Sequence, residues 1–214
     1  MGLEIKNKKC GSFGDISTFS FYPNKHITTG EGGMVLTDNI QIAKRCKKLR
    51  NLFFDNKKRF YHKEIGWNYR MSNLNAAVGV AQFEKIKKTI KLKRLIGNYY
   101  YSKLKSIDKI QLQPIKNSIS RNIFWVFGIL IKKESKISVS KIRKILLKKG
   151  IQTRPFFWPL HKQPFIKKNL KLKYSLPNSE YLSKNGFYLP SGLSLKKSDL
   201  DYICKEFKEA LINL

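Results

Sequence analysis

Lys25 is the residue whose type and setting are best suited to chemistry. It lies in residues 11–35, GSFGDISTFSFYPNKHITTGEGGMV, after a proline turn and before two threonines and a Gly-Glu-Gly-Gly turn. A lysine held between two strands among hydroxyls and glycines is a candidate imine-forming amine. Burial and neighbouring positive charge lower a lysine's pKa, and only the neutral amine attacks a carbonyl. The bare alternative is a solvated surface lysine, the ordinary state of this residue type. In residues 65–74, IGWNYRMSNL, Asn68 offers an amide donor and Arg70 a planar guanidinium that pairs with phosphate through two parallel bonds. Without a ligand the same two are a turn residue and half of a structural ion pair. In residues 153–161, TRPFFWPLH, Pro155 and Pro159 stiffen a loop flanked by Arg154 and His161. Its aromatics, Trp158 among them, either offer a flat face to a sugar or base or pack as a hinge between domains. His26 and His62 have no comparable context. Cys10, Cys46 and Cys204 lack metal-type spacing and suggest no disulfide framework, so no metal is expected.

These groups need elements to hold them. The run 16–21, ISTFSF, alternates as a strand does, and a second short strand begins at Met34. Residues 40–53 carry Ile42, Cys46, Leu49 and Phe53 at helical spacing, and 55–69 reads as an ordered loop. Ser72 or Asn73 caps a helix that begins LNAAVGVAQF and runs, bent near Gly97, to about Leu104. Its small apolar first half is expected to be buried and its lysine-rich second half solvated. The continuous run 123–131, IFWVFGILI, predicts a central strand. Ser138 opens a helix that Gly150 closes, with Ile142, Ile145 and Leu146 on one face. Residues 151–154 and 187–190 read as short strands, and Ser198 or Asp199 caps a last helix through Leu211. Two regions follow, 1–105 and 106–214, the second a small α/β domain.

The lysine stretch meets the pattern G-x-F-G-D-x-x-x-F-S-F-x-x-x-K-x-x-x-T-G-E-G-G at every fixed position. It resembles the DegT/DnrJ/EryC1/StrS family, pyridoxal-phosphate-dependent aminotransferases that act on nucleotide-linked keto-sugars. The resemblance implies an α/β fold of the aspartate aminotransferase type. It also implies that Lys25 carries pyridoxal 5'-phosphate as a Schiff base and that Ser20 hydrogen-bonds the cofactor phosphate. The 65–74 loop is similar to the family's G-x-N-x-R-M-[ST], whose asparagine reaches across a dimer interface to the partner's cofactor phosphate. That role falls to Asn68 and implies a homodimer with shared sites. The 153–161 loop is similar to T-R-P-x-[FY]-x-P-[LIM]-H, which implies that Arg154, Trp158 and His161 line the sugar-nucleotide site. That loop is found particularly in members that aminate GDP-4-keto-6-deoxymannose, which makes this the first substrate expected, with other 4-keto or 3-keto sugars next and glutamate the expected amino donor. Lysine rather than histidine at position 25 favours amino transfer over deoxygenation. The resemblance covers this whole chain but only the C-terminal part of a family member. Gly2 fits the last glycine of D-x-A-x-x-x-G. The aspartate that keeps the pyridine nitrogen protonated is therefore expected ahead of Met1, and these 214 residues alone are expected to be inactive.

The balance of 44 basic to 14 acidic residues gives a net charge of +30. Lysines occur in every segment, and no nucleic-acid module is legible, so surface drift toward lysine accounts for the excess and no specific nucleic-acid partner is expected. The alternative function is a truncated inactive family member or a basic polyanion-binding protein. Either way the field attracts anionic substrates. No apolar run approaches the ~20 residues of a membrane span, and the first residues lack a signal-like apolar stretch. A cytoplasmic protein is expected.

Overall fold

The alternation in residues 16–21 becomes one arm of a hairpin in the computed structural model, which describes residues 1–55, 57–58, 60–170 and 175–214. The chain divides into two units, one of Met1–Lys91 with Lys116–Ile123 and one of Leu92–Ile115 with Phe124–Leu214.

In the first unit, β1 (Glu4–Ile5) pairs with β2 (Lys8–Lys9) across a turn at Lys6 and Asn7, both left-handed at φ 48° and 63°. Then β3 (Ser17–Ser20) runs antiparallel to β4 (Gly33–Leu36), with Phe19 opposite Met34 and Ser20 opposite Gly33. Helix α1 (Ile40–Leu49) starts at Asn39, whose Oδ1 accepts from the amides of Gln41 and Ile42 at 2.8 and 3.2 Å. Phe53, expected on that helix, lies beyond its end. Leu52 and Phe53 turn left-handed at φ 57° and 51°, which folds the Phe53 ring back into a buried position. Ser72 caps α2 (Asn73–Glu84), its Oγ accepting from Asn75 N at 3.2 Å.

The next helix, α3 (Ile86–Leu104), corrects two expectations. The break falls at Lys85, which leaves helical geometry at φ −95°, ψ 6°, and not at Gly97. Gly97 stays helical because the place of its missing Cβ is taken by the Phe124 ring, whose Cγ would lie 2.2 Å away. The burial also departs from the one expected: Lys85, Lys87, Lys88 and Lys91 are exposed as expected, but the apolar first half is exposed too. Leu74 and Phe83 of α2 are 82 % and 57 % exposed, whereas Ile96, Tyr100 and Leu104 of α3 are buried together with Lys93. The reason is geometric. Apolar residues surround α2, so turning one polar stripe inward leaves the rest outward, while on α3 the apolar residues recur at one face.

The second unit is a four-stranded antiparallel sheet in the order β5 (Ile110–Leu112), β6 (Phe127–Ile131), β8 (Gly186–Leu189), β7 (Arg154–Pro155). The predicted central strand is β6, buried along its whole length, although it begins at Phe127 rather than at residue 123. Phe124 is left-handed at φ 46°, which interrupts any earlier strand. Ser138 precedes α4 (Val139–Lys148), which Gly150 closes at φ 74°. Of residues 151–154 only Arg154 joins the sheet, with Pro155 tolerated because β7 is an edge strand. Helices α5 (Pro164–Leu170) and α6 (Pro177–Asn185) follow; neither is among the elements expected from the sequence, and both begin at a proline. The last helix, α7 (Lys197–Ile212), starts two or three residues earlier than expected. Lys196 caps it, and Asp199 accepts from Lys196 N at 2.8 Å. Ile142 and Leu146 of α4 and Ile203, Phe207 and Leu211 of α7 join the buried faces of β6 and β8 and of α3 in one apolar core.

Candidate functional site

Lys25 sits in the connection between β3 and β4, and the loop is closed by one carbonyl. Phe21 O accepts from Thr29 N and from Thr28 Oγ1, both at 3.0 Å, while Phe21 N donates to Gly32 O at 2.9 Å. Within the closed loop, Lys25 N donates to Tyr22 O at 3.0 Å, and Tyr22 N donates to Ser20 Oγ at 3.3 Å. Ser20 and Lys25 thus flank one tight turn. Lys25 is half-buried, Ile27 and Thr29 are buried, and Ser20 is exposed. Gly32 is left-handed at φ 143°, and a Cβ there would strike the Met71 methyl at 2.6 Å.

The loop leans on α2. Thr28 is gripped on both sides of its peptide by Gln82, whose Oε1 accepts from Thr28 N at 3.1 Å and whose Nε2 donates to Thr28 O at 2.6 Å. Asn75 Nδ2 donates to Thr29 O at 2.5 Å, and Ser72 Oγ donates to Asn75 Oδ1 at 2.5 Å. Between them, Gly79 leaves room for the Thr29 methyl, which a Cβ would meet at 2.9 Å. Asn75, Gly79 and Gln82 recur at four and three residues and so share one face of the helix. These contacts were missed in reading the sequence. Their signal was two amides, Asn75 and Gln82, standing alone in an otherwise apolar run.

Asn68 and Arg70 lie on a neighbouring loop of the same unit. Trp67 N donates to Leu49 O at 2.7 Å, Leu52 N to Trp67 O at 3.0 Å and Tyr69 N to Arg50 O at 3.0 Å. Gly66 permits this close passage, since a Cβ there would lie 2.6 Å from Phe53 N. Arg70 Nε donates to Asn68 Oδ1 at 3.1 Å, and both side chains are exposed.

The remaining candidates belong to the second unit, on a loop anchored along its length. Arg143 of α4 donates from Nε to Thr153 Oγ1 at 3.2 Å. The Phe156 ring lies over Gly128 and Gly186 on adjacent strands, where Cβ atoms would approach it to 2.9 and 2.2 Å. Phe157 stacks on Trp125, with centroids 6.5 Å apart. His161, 7 % exposed, has Nε2 at 3.0 Å from Glu180 Oε1 on α6. The His161 and Lys162 side chains and the Ser175 hydroxyl hold the Glu180 carboxyl down to about 2. Arg154 and Trp158 remain exposed between these anchors. Beneath the same region, Lys93 Nζ donates to Trp125 O at 2.8 Å and to Ser191 O at 2.7 Å, and burial pushes its amine down to about 8. Among the described residues no group of three or more His, Cys, Asp or Glu is gathered as for a metal ion, and no helix is long and apolar enough to cross a membrane.

The fold is that of the pyridoxal-phosphate-dependent sugar aminotransferases. An aminotransferase of Helicobacter pylori, PseC, involved in the biosynthesis of pseudoaminic acid, matches it with a TM-score of 0.92 at 23 % identity, over 100 % of this chain and 57 % of that one. The chain belongs to the DegT/DnrJ/EryC1/StrS aminotransferase family, whose sequence profile matches residues 1–208. It is 38 % identical over 208 residues to the GDP-perosamine synthase of Vibrio cholerae, covering 97 % of this chain and 56 % of the relative. It is 36 % identical over 211 residues to that of Escherichia coli O157:H7, covering 97 % and 55 %. The chain thus spans about half the length of these curated relatives.

Proposed function

We propose that the protein acts as a pyridoxal-phosphate-dependent aminotransferase that moves an amino group, with glutamate as donor, to a nucleotide-linked 4-keto-6-deoxy sugar. The first substrate in this reading is GDP-4-keto-6-deoxymannose, giving GDP-perosamine for surface polysaccharide. What carries the reading is the placing of half-buried Lys25 and the Ser20 hydroxyl at the ends of one turn, in a loop closed by the Phe21 carbonyl. The residues present fit the cofactor. A primary amine and a hydroxyl on a rigid turn are the two groups needed to hold an aldehyde and a phosphate. When bound, the cofactor supplies a pyridine ring that takes up the negative charge left when a proton leaves the donor's amino carbon.

The chain's own residues would do the following. Lys25 would hold the cofactor through its amine and, with a donor in the site, would be the group placed to take up and return a proton there. Ser20 donates to the phosphate. Asn68, its Oδ1 already accepting from Arg70, presents its amide NH2 to the phosphate held by a second copy in a homodimer with shared sites. Arg70 and Arg154 pair with the substrate's diphosphate, and Trp158 covers the sugar or base. His161 serves the site by holding the loop, because its Nε2 is bonded to Glu180. Because the chain spans about half of its relatives' length, the activity proposed is that of the whole protein, and the 214 residues alone are expected to be inactive.

The test is amino transfer by the whole protein from glutamate to GDP-4-keto-6-deoxymannose, followed by mass of the sugar nucleotide. Formation of the amino sugar supports the reading. No product from this or other 4-keto sugar nucleotides overturns it. A second reading, polyanion binding, has the +30 charge behind it and would show as nucleic-acid affinity with a steep salt dependence.

A further inference from the structure

We infer that Gln82 and Asn75 of α2 are positioning residues for Lys25, acting through the backbone of Thr28 and Thr29. The inference rests on the reading of Lys25 given above, and its observations are separate from that reading. A four-residue step separates Lys25 from Thr29, and the loop between them turns on one closing carbonyl, Phe21 O. That closure fixes the base of the loop but leaves its outer side to be held from elsewhere. Gln82 supplies this hold with both ends of its amide, one accepting from Thr28 N and one donating to Thr28 O. No rotation of the Thr28 peptide preserves both bonds, so the pair fixes orientation as well as position. Asn75 adds a third bond, to Thr29 O, and is itself oriented by the Ser72 hydroxyl that also caps the helix. Start of helix, amide and lysine loop are therefore one connected network.

The composition of α2 makes the case stronger. Between its first and last residues, Asn73 and Glu84, its other side chains are small or apolar, and Leu74, Val78, Val80 and Phe83 face outward. Gln82 also donates from Nε2 to Val78 O of its own helix at 3.4 Å, but its two shorter bonds, at 3.1 and 2.6 Å, both go to the Thr28 peptide. Gly79 belongs to the same device, because any Cβ there would push Thr29 away. A lysine that must hold a ligand, release it and return to the same atom needs its tether to stay in place while its side chain moves. The Gln82 grip acts on the backbone behind Lys25, at the Thr28 peptide.

The experiment is amide hydrogen exchange of the 214-residue chain, read by mass over a peptide spanning 26–32, for the wild type and the Gln82→Ala, Gln82→Glu, Asn75→Ala and Val80→Ala variants. Loss of one such hydrogen bond gives roughly tenfold faster exchange. Gln82→Ala and Asn75→Ala are expected to speed exchange in this peptide by about that factor, while Val80→Ala, on the outward side of the helix, leaves it unchanged. Gln82→Glu is the test that a merely structural role would not pass. Its ionised carboxylate cannot donate to Thr28 O and its protonated form can, so its exchange, relative to wild type at the same pH, should return toward unity as pH falls below the carboxyl's pKa. Should Gln82→Ala fail to fold, this pH-dependent ratio still decides the matter. A second reading, taken on the whole protein and its Gln82→Ala variant, is the yield of borohydride-trapped pyridoxyl on Lys25 at limiting pyridoxal phosphate. It should fall in Gln82→Ala relative to the other lysines. Exchange that is the same in all variants overturns the grip and leaves the reading of Lys25 standing. Exchange that changes as expected, with wild-type Lys25 trapped no better than surface lysines, overturns the reading of Lys25 and with it the positioning role.

Discussion

Replacing Lys93 with methionine separates two opposing terms that the structure sets against each other. Lys93 is 8 % exposed on α3, and among the described residues its amine meets oxygens of neutral groups, Trp125 O, Ser191 O and, at 3.4 Å, Ser191 Oγ. Burial holds its pKa at about 8 against an ordinary 10.5. The folded state therefore disfavours the charge, and the cost is fully present below about pH 8. Between 8 and 10.5 the unfolded chain holds a proton that the folded chain has given up, so stability from this group rises with pH across that window. At 1.36 kcal/mol per pH unit the ceiling is about 3 kcal/mol, and partial access to water reduces the expected gain to about 2 kcal/mol. Lys93→Met removes that pH-dependent cost and leaves two carbonyls without their donor, at roughly 1–3 kcal/mol each. Buried Tyr100 and Cys204, whose pKa values burial raises, give the opposite slope at high pH, so only the difference between variant and wild type is informative. Urea melts followed by circular dichroism at pH 7.5, 8.5, 9.5 and 10.5 should show the variant's deficit growing by about 2 kcal/mol across the series. A deficit that is the same at every pH would refute the reasoning, because the carbonyls would then compensate the charge in full.

Three further outcomes follow from single contacts. The Glu180 carboxylate, held at about 2 by His161, Lys162 and Ser175, gives stability that is present above its ordinary 4.5 and lost as pH falls toward 2. Glu180→Gln should abolish that acid-induced loosening, read as hydrogen exchange over residues 156–163 between pH 5 and 2.5. Gly97→Ala gains helix propensity yet drives a methyl into the Phe124 ring, so a net loss of about 1–3 kcal/mol is expected in melts. If the +30 charge reflects surface drift, a short single-stranded oligonucleotide should bind weakly, without sequence preference, and release as salt rises to about 200 mM; sequence-dependent affinity that survives that salt would argue for a nucleic-acid site.

How much of this was legible in the residues differs between elements. The β3–β4 hairpin and its turn were plain, because alternation, a proline and a glycine cluster are local signals that tertiary packing did not have to override. The central strand was plain for its apolar run, but its true start at Phe127 depends on the left-handed Phe124, which Gly97 of a distant helix makes room for. Lys93 could not be foreseen, since a lysine in a lysine-rich helix reads as solvated until the carbonyls of Trp125 and Ser191 are seen around it. The outward face of α2 escaped for the converse reason. Apolar residues normally mark burial, and this helix turns Asn75 and Gln82 inward instead. On the candidate site, Ser20 and Lys25 were found by motif and are joined by the turn at Tyr22. The pairing of His161 with Glu180 lies across a 19-residue gap that no spacing rule bridges.

The central claim is that Lys25 is the residue that carries the cofactor. The most direct measurement is borohydride reduction of the whole protein purified with pyridoxal phosphate, followed by digestion and mass analysis of the lysine peptides. The account predicts a pyridoxyl group on the peptide containing Lys25, with both the group and amino transfer gone in Lys25→Ala. A pyridoxyl group on a different lysine, or amino transfer that survives Lys25→Ala, would contradict it.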